Sequence, residues 1–208
     1  MNDDGLKSRI AVHAVIPRTK MNGPGDRFGV WVQGCGILCK GCFNPKTLPY
    51  LKNQEIEFVP PTTSGWTDTG YISDLIRAEH ESSALEGITV SGGEPLEQPA
   101  ALKSLLNSVQ DMGLTTVVFS GFTSNQIFSD PEKYEFFKKD HLVDVLISGP
   151  YLREEQIEKE LRGSANQEIH LLTDRYTIDD LEMSGSMEVI VRADGSVAIT
   201  GFTRPELP

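Results

Sequence analysis

The stretch GPGDRFGVWVQGCGILCKGCFNPKTLPY, residues 23–50, contains every cysteine of the chain. Cys35, Cys39 and Cys42 follow one another in a C-x3-C-x2-C spacing, with glycines before and between them. Three thiols in one short, flexible loop can bind a metal centre without ligands from distant parts of the chain. We therefore predict that this loop, residues 34–45, is a metal site around which the rest of the fold is arranged.

Two kinds of metal centre are compatible with this loop. A structural zinc ion requires four closed ligands, but none of the four histidines lies near the triplet, so a fourth ligand would have to come from elsewhere. A 4Fe-4S cluster suits thiolate ligands, and three cysteines would leave one iron open to a ligand that is not protein. The residues alone leave both alternatives open.

Length and composition restrict the class of protein. The 208 residues suffice for one well-packed domain, and we predict a single domain over residues 1–208. Acidic residues outnumber basic ones by 30 to 19, which gives a net charge of −11. Because phosphate binding needs a basic surface, we do not expect a nucleic acid as partner.

The distribution of apolar residues and cysteines indicates the compartment. No run approaches the roughly 18 apolar residues of a membrane span, and residues 1–10 lack the apolar core of a signal peptide. An odd number of cysteines in one loop favours a metal site over a disulfide framework. We therefore expect a cytoplasmic protein without a membrane contact.

A repeated unit of strand, turn and helix follows the cysteine loop. Three β-branched runs each end in Ser-Gly, and their glycines, Gly92, Gly121 and Gly149, are 29 and 28 residues apart. This spacing fits a strand plus a helix, which indicates parallel strands covered by helices. Six strands are predicted before the carboxyl-terminal hairpin, at residues 10–16, 27–33, 87–90, 115–119, 143–147 and 168–172.

The segments between these strands are assigned in the same way. Helices are predicted from Thr69, from Pro99 to Gly113, over 125–139 and over the charged stretch 152–161, whereas the proline-interrupted residues 45–65 are irregular. Near the carboxyl terminus, an Asp-Gly turn between alternating apolar runs predicts a β-hairpin at about 187–201. We interpret that hairpin as structural, an edge or a lid.

The carboxyl ends of parallel strands meet at one edge of a sheet. The cysteine loop, residues 91–94, Ser120 and Ser148 are therefore expected to lie along one rim. For Ser148 we favour the simpler interpretation of a compact strand-to-helix turn.

These motifs together resemble the radical S-adenosylmethionine (SAM) superfamily. The resemblance rests on the cysteine triplet, on Gly-Pro-Gly-x-Arg at residues 23–27 and on Ser-Gly-Gly-Glu-Pro at residues 91–95, and it covers roughly residues 10–201. The GCFNP sequence at residues 41–45 is most similar to the activating component of anaerobic ribonucleotide reductase, a glycyl-radical-enzyme activase. The resemblance implies an α/β fold, a partial (β/α)6 TIM-type barrel of parallel strands with a C-terminal β-hairpin.

The resemblance also implies the cofactors and their ligands. One 4Fe-4S cluster would be held by Cys35, Cys39 and Cys42, and its open iron would bind SAM. An electron would then cleave SAM to a 5'-deoxyadenosyl radical that takes a hydrogen atom from the substrate, so no catalytic residue is expected beyond the cluster and SAM site. The cofactor-binding residues that the resemblance implies are Phe43, Asn44, Ser91, Gly92, Gly93, Glu94 and Ser120.

Several assignments have simpler alternatives. Phe43 suits core packing, and the Glu94 carboxylate suits a position near a helix N-terminus. Residues 162–167, RGSANQ, resemble a segment of the reductase activases, with no role assigned to them. Two positions also matter for the branch: Ile37 departs from the histidine that reductase activases often carry there, whereas Gly41 agrees with that branch.

Three functions are compatible with this sequence. The leading hypothesis is an activase that generates a glycyl radical on a large partner enzyme, such as anaerobic ribonucleotide reductase, with electrons from a low-potential donor. The second is a radical SAM enzyme that acts on a peptide or small metabolite. The third is a non-catalytic iron-sulfur or zinc module.

Overall fold

A mixed sheet of seven strands forms the centre of the molecule. The computed structural model describes residues 8–130, 137, 142–182, 187–192 and 195–201. The sheet has the order β3-β1-β2-β4-β5-β6-β9, and two separate hairpins are formed by β7 with β8 and by β10 with β11. The strands are β1 (Arg9–Thr19), β2 (Arg27–Val32), β3 (Gly65–Asp68), β4 (Gly87–Gly92), β5 (Thr115–Ser120), β6 (Val145–Ser148), β7 (Gln156–Lys159), β8 (Arg162–Ser164), β9 (Glu168–Leu171), β10 (Met187–Val191) and β11 (Val197–Gly201).

The α/β class is confirmed, but fewer strands are parallel than predicted. In the described part of the chain, β2, β4, β5 and β6 are parallel neighbours, whereas β1 is antiparallel to β2 and β9 is antiparallel to β6. The connection from β1 to β2 spans only residues 20–26, which is too short for a parallel crossover. Strand β3, which pairs antiparallel with β1, was not predicted.

Helices cover one face of this sheet. Helix α1 (Thr69–Ser83) and helix α2 (Pro99–Asp111) pack against each other and against β1, and α2 also contacts β5. Asp68, not Thr69, caps α1, because its side chain accepts a hydrogen bond from the backbone N–H of Gly70. Helix α3 (Ser124–Ser129) is short, and most of the predicted helix over 125–139 lies outside the described residues.

The opposite face of the sheet is covered by the carboxyl-terminal third of the chain. Val118 and Leu146 belong to the core beneath the helices, whereas Val117 and Ile147 pack with Leu161 on the other side. Successive residues of a strand point to opposite faces of the sheet, so β5 and β6 are buried on both faces. None of the described helices has the length and apolar character needed to span a bilayer.

The predicted helix over residues 152–161 is wrong. The chain forms a 3-10 turn at Arg153–Glu155 and then strand β7, which pairs with β8. The segment has many charged residues but no apolar stripe at helical spacing, so nothing would hold a helix against the core. Positive φ angles at Glu160 and Leu161 turn the chain back into the hairpin.

A buried arginine joins the amino ends of the parallel strands. Arg27 begins β2 and is fully buried. Burial lowers the pKa of its guanidinium, while Tyr176, whose hydroxyl donates to Glu86, acts in the opposite direction. The guanidinium donates to the carbonyl oxygens of Pro24, Ile88 and Thr115 and to the hydroxyl oxygens of Thr89, Thr115 and Tyr176.

We expect Arg27→Met to lower the free energy of unfolding by about 3 kcal/mol, because several buried acceptors lose their donor. Urea unfolding followed by circular dichroism measures this change. Arg9→Met is the matched control, since Arg9 makes an exposed ion pair with Glu57 at 2.7 Å, and it should cost less than about 1 kcal/mol. Equal losses in the two variants would contradict this structural role for Arg27.

Candidate functional site

A cavity of about 380 Å³ lies at the carboxyl ends of the parallel strands. The expected rim is confirmed for three of its four parts, because the cysteine loop and the turns after β4 and β5 all line this cavity. Ser148 is not among the lining residues, although the neighbouring Gly149 is, and the Ser148 hydroxyl lies 2.9 Å from His170 Nε2. The interpretation of Ser148 as a strand-to-helix turn is wrong, because a 3-10 turn and a hairpin follow β6. The predicted site residues that line the cavity are Cys35, Cys39, Cys42, Phe43, Asn44, Ser91, Gly92, Gly93, Glu94 and Ser120.

Backbone hydrogen bonds fix the cysteine loop to the segment that follows it. The N–H of Gly34 donates to Thr47 O at 2.8 Å, and the N–H of Cys35 donates to Leu48 O at 3.1 Å. Gly34 and Gly41 have φ angles of 100° and 75°, a region that strongly favours glycine. The sequence is therefore folded locally into a tight loop whose ends are held independently of any metal.

All three cysteines are free thiols. Cys42 N donates to Cys39 O at 3.2 Å, and Cys42 Sγ accepts the N–H of Asn44 at 3.3 Å. Burial raises the pKa of both Cys35 and Cys42. Metal binding at this site therefore has to displace protons from these thiols.

The thiols of the cysteine loop are the ligand type that iron-sulfur clusters use. Within the described ranges, no three His, Cys, Asp or Glu side chains lie close enough together to hold a single metal ion. A 4Fe-4S cluster binds each thiolate through a different iron, so its ligands are spread apart around it. Three free cysteines that line one cavity supply such a set.

The two glycines after β4 let two backbones meet. Gly92 has a φ of 104°, and a Cβ on Gly93 would lie 2.2 Å from the carbonyl oxygen of Gly34. Gly93 N donates to Val32 O, and Glu94 N donates to Gly34 O, each at 2.9 Å. The Gly-Gly-Glu turn is thus packed directly on the start of the cysteine loop.

The Glu94 side chain joins two strand ends. Its Oε1 accepts the N–H of Leu96 and the hydroxyl of Ser120, both at 2.9 Å, and its Oε2 accepts the N–H of Gly121 at 2.7 Å. Ser120 Oγ also accepts the N–H of Phe122 at 3.1 Å. Burial raises the pKa of Glu94 to about 7, even though these donors act in the opposite direction.

Phe43 contacts the segment at residues 162–167. Its ring centroid lies 4.5 Å from that of Tyr151, and a Cβ on Gly163 would lie 2.7 Å from the Phe43 ring. Gln167 holds this segment in place, because its Oε1 accepts the N–H of Gly163 and its Nε2 donates to Gly149 O. The RGSANQ stretch therefore closes one side of the cavity.

The C-terminal hairpin forms part of the cavity wall, a position that its interpretation as an edge or a lid had left open. Residues 197–201 and Arg192 line it, and the hairpin is anchored where Thr19 donates to Glu188 at 2.7 Å and Asn22 donates to Thr200 at 2.7 Å. These partners are more than 165 residues apart, so no local pattern could have indicated them. The hairpin itself is confirmed as β10 with β11, although Ala193 and Asp194 lie outside the described residues.

Two further lining residues, His13 and Trp31, come from β1 and β2. His13 Nδ1 lies 2.9 Å from Gln33 Oε1 and 2.8 Å from Ser64 Oγ, and Trp31 lies in β2. Ile37, where the sequence departs from the reductase activases, also lines the cavity, and its Cδ1 would lie 2.6 Å from a Cβ on Gly121. An apolar side chain therefore fills the space between the cysteine loop and the turn after β5.

Because the folded protein holds Glu94 with a raised pKa, its contribution to stability should fall as pH rises. Below about pH 4.5 both states are protonated; between about pH 4.5 and 7 only the unfolded state loses its proton, so unfolding becomes easier by about 3 kcal/mol. The free energy of unfolding, measured with urea, should fall between these pH values in the wild type. Glu94→Gln should lose this dependence on pH. The exposed Glu57→Gln is the control and should keep it; an unchanged slope in Glu94→Gln would contradict the assignment.

Comparison with known proteins places this site in a family. A family profile described as "4Fe-4S single cluster domain" matches residues 21–170. The anaerobic ribonucleoside-triphosphate reductase-activating protein of Vibrio cholerae is 30% identical over 169 residues, which is 77% of this chain and 97% of that protein. The protein of the same name from Escherichia coli K12 is 28% identical over 166 residues, again 77% and 97%.

More distant similarities extend to other proteins. The pyruvate formate-lyase-activating enzyme of Clostridium pasteurianum is 30% identical over 108 residues, which is 51% of this chain and 41% of that protein. Among solved structures, QueE from Escherichia coli has a TM-score of 0.46 at 15% identity and covers 55% of this chain and 54% of its own.

The family match covers most of the chain, and it includes the cysteine triplet and the Gly-Gly-Glu turn that line the cavity. The cofactors of this enzyme family are one 4Fe-4S cluster and SAM. The chain belongs to the radical SAM superfamily, within the single-cluster 4Fe-4S family that includes the anaerobic ribonucleoside-triphosphate reductase-activating proteins.

Proposed function

We propose that this enzyme generates a glycyl radical on a large partner enzyme, and that the partner is an anaerobic ribonucleoside-triphosphate reductase. The observation that carries this proposal is the cavity where three free cysteines and the Gly-Gly-Glu turn meet at the strand ends. The relatives that the chain matches over almost their full length are named as activators of that reductase. We propose a cytoplasmic location, where reducing conditions keep the thiols free.

We propose that Cys35, Cys39 and Cys42 hold the cluster. The backbone contact between Gly34 and Gly93 fixes the loop at the carboxyl end of β2. The bound cluster would supply the electron for the reductive cleavage of SAM. The protein binds and orients SAM and excludes water from the cavity.

The proposed SAM site is built mainly from backbone. Ser91, Gly92 and Gly93 end β4 at the cavity, where the absence of a Cβ allows a charged ligand to approach the chain closely. We propose that Glu94 and Ser120 position this turn through their mutual hydrogen bond, 2.9 Å long, besides lining the site. We propose that the bound SAM also contacts Phe43, Asn44 and Ser91, which line the cavity.

We propose that the whole chain acts as one domain and that its sheet is a shortened form of the partial barrel. Residues from β1, β4, β5 and the C-terminal hairpin surround one cavity, which supports that arrangement. The C-terminal hairpin then forms the side of the cavity along which a loop of the partner enzyme enters.

We expect Cys42→Ala to abolish cluster binding and SAM cleavage, because a cluster with two protein thiolates loses its anchorage. After anaerobic reconstitution, iron content should fall from about four atoms per chain to less than half of that. Dithionite with SAM should then yield no 5'-deoxyadenosine above background. Ser148→Ala, outside the cavity, is the control and should retain both; a fully active Cys42→Ala protein would refute the assignment.

The partner is tested by electron paramagnetic resonance. The reconstituted enzyme, SAM, dithionite and the anaerobic ribonucleotide reductase of the same genome should produce a glycyl-radical doublet on the reductase. A reductase with its radical glycine replaced by alanine is the control and should give none. SAM cleavage without any radical on the reductase would favour a peptide or small-molecule substrate, and no cleavage at all would favour the non-catalytic module.

A further inference from the structure

The second strand of the C-terminal hairpin has an unpaired edge. Strands β10 and β11 form a sheet of two strands, and no other strand in the described part of the chain pairs with either of them. The pairing with β10 therefore occupies only one side of β11 (Val197–Gly201). Among the described residues, no backbone group outside the hairpin bonds to the backbone of β11.

This unpaired edge faces the cavity. All five residues of β11 line the cavity, whereas Met187–Val191 of β10 do not. Successive side chains of a strand point to opposite faces of its sheet, so one face of β11 would present only alternate residues. A strand that presents every residue, with its partner strand behind it, directs its edge toward the cavity.

The register of the hairpin identifies the backbone groups on this edge. Arg192 N donates to Ser196 O at 2.8 Å, so these two residues form a hydrogen-bonded pair. Hydrogen-bonded and non-hydrogen-bonded pairs alternate along an antiparallel ladder. Val197 and Ile199 are therefore in non-hydrogen-bonded pairs, and their N–H and C=O groups point away from β10. We define the free edge of β11 as these backbone groups of Val197 and Ile199.

The free edge of β11 has none of the features that usually protect an edge strand. Its sequence, VAITG, contains no proline and no charged residue, and its pairing with β10 has no bulge. Edge strands in natural proteins carry such features because bare backbone groups pair readily with another chain. Val197 and Ile199 are 55% and 44% exposed, so the described part of the chain does not cover this edge.

Arg192 places a second unused donor group beside this edge. Arg192 lines the cavity, and its Nη1 donates to Ser196 Oγ at 3.3 Å. Its Nη2 is buried and has no hydrogen-bond acceptor among the described residues. A buried donor without an acceptor is unfavourable, which is typical of a site that a ligand completes. A carbonyl oxygen of a segment that pairs with the free edge would be a suitable acceptor.

We propose that the free edge of β11 binds the radical-glycine segment of the partner enzyme, which pairs with it as a third strand. This inference rests on the proposed function, in which that segment enters the cavity. A glycine has no side chain, so an enzyme recognises it only through its backbone and its neighbours. Strand addition supplies such recognition through main-chain hydrogen bonds. The hairpin lies beyond residue 170, where the match to the family profile ends, so this contact is an addition to the part of the chain shared with the family.

The first test removes one N–H group of the free edge. Ile199→Pro deletes an N–H that is not bonded to β10, and Val189→Pro is the matched control, because Val189 lies opposite Ile199 and its N–H points away from β11 and from the cavity. The reconstituted holoenzyme is mixed with SAM, dithionite and increasing concentrations of the anaerobic ribonucleotide reductase of the same genome. Electron paramagnetic resonance gives the initial rate of radical formation, and 5'-deoxyadenosine is measured without the reductase.

We expect Ile199→Pro to raise the half-saturating concentration of the reductase about tenfold, because a backbone hydrogen bond of the bound segment is lost. This loss should exceed any change in 5'-deoxyadenosine formation without the reductase. Val189→Pro should keep the half-saturating concentration of the wild type, since the edge of β10 does not line the cavity.

The second test leaves the enzyme unchanged and alters the backbone of the ligand. Short synthetic peptides centred on the radical glycine of the reductase each carry one N-methyl group, at successive backbone nitrogens. Their dissociation constants for the wild-type holoenzyme with SAM, without reductant, are measured by fluorescence anisotropy. Because the N–H groups of a strand point alternately to its two edges, N-methylation should weaken binding about tenfold at every second residue and have little effect between them.

Equal half-saturating concentrations in the Ile199→Pro and Val189→Pro proteins, or no alternation among the peptides, would overturn the proposal. An equal loss of 5'-deoxyadenosine formation and of radical transfer in Ile199→Pro would overturn it as well, because the edge would then serve SAM. A wild type that is dimeric in sedimentation, with a monomeric Ile199→Pro protein, would assign the edge to a contact between two copies of this chain and equally overturn it.

The proposed function fails separately. If the wild-type holoenzyme bound the peptides with the expected alternation but formed no radical on the reductase, the activase assignment would be refuted and strand addition would stand. If radical transfer were efficient and insensitive to Ile199→Pro, strand addition would be refuted and the activase assignment would stand.

Discussion

The close contact between the backbone of Gly34 and the Gly92-Gly93 turn is the constraint on which the site depends. The cysteine loop follows β2 and the turn follows β4, and these two strands are parallel neighbours. Their ends can touch only because a Cβ at Gly93 is absent, since it would lie 2.2 Å from Gly34 O. The hydrogen bond from Glu94 N to Gly34 O completes the contact. The proposed cluster ligands and the proposed SAM-binding turn are thereby held in one fixed relation.

Buried polar groups stabilise the two ends of the parallel sheet in different ways. At the amino ends, Arg27 of β2 is buried with its N–H groups directed to carbonyl and hydroxyl oxygens of β4 and β5. At the carboxyl ends, Glu94 is buried as an acceptor for donors that follow β4 and β5. Each group has its hydrogen-bonding capacity used, which makes its burial tolerable.

Segments that are far apart in the chain form the walls of the cavity. The cysteine loop lines the cavity through its three cysteines and Ile37. The RGSANQ segment and the C-terminal hairpin close other sides, the first through Gln167 and the second through Glu188 and Thr200.

The sequence by itself determined the local features of this protein. The cysteine spacing, the Gly-Gly-Glu turn, the strands that carry them and the Asp-Gly hairpin are short-range patterns, and the structure agrees with each where it is described. Only the tertiary structure decided the direction of β1 and β9, the hairpin in place of a helix at residues 152–161, and the placement of the C-terminal hairpin over the cavity. It also decided that the Glu94 carboxylate hydrogen-bonds to the groups after β4 and β5. These features depend on contacts between residues far apart in the chain, which composition and periodicity within one segment do not encode.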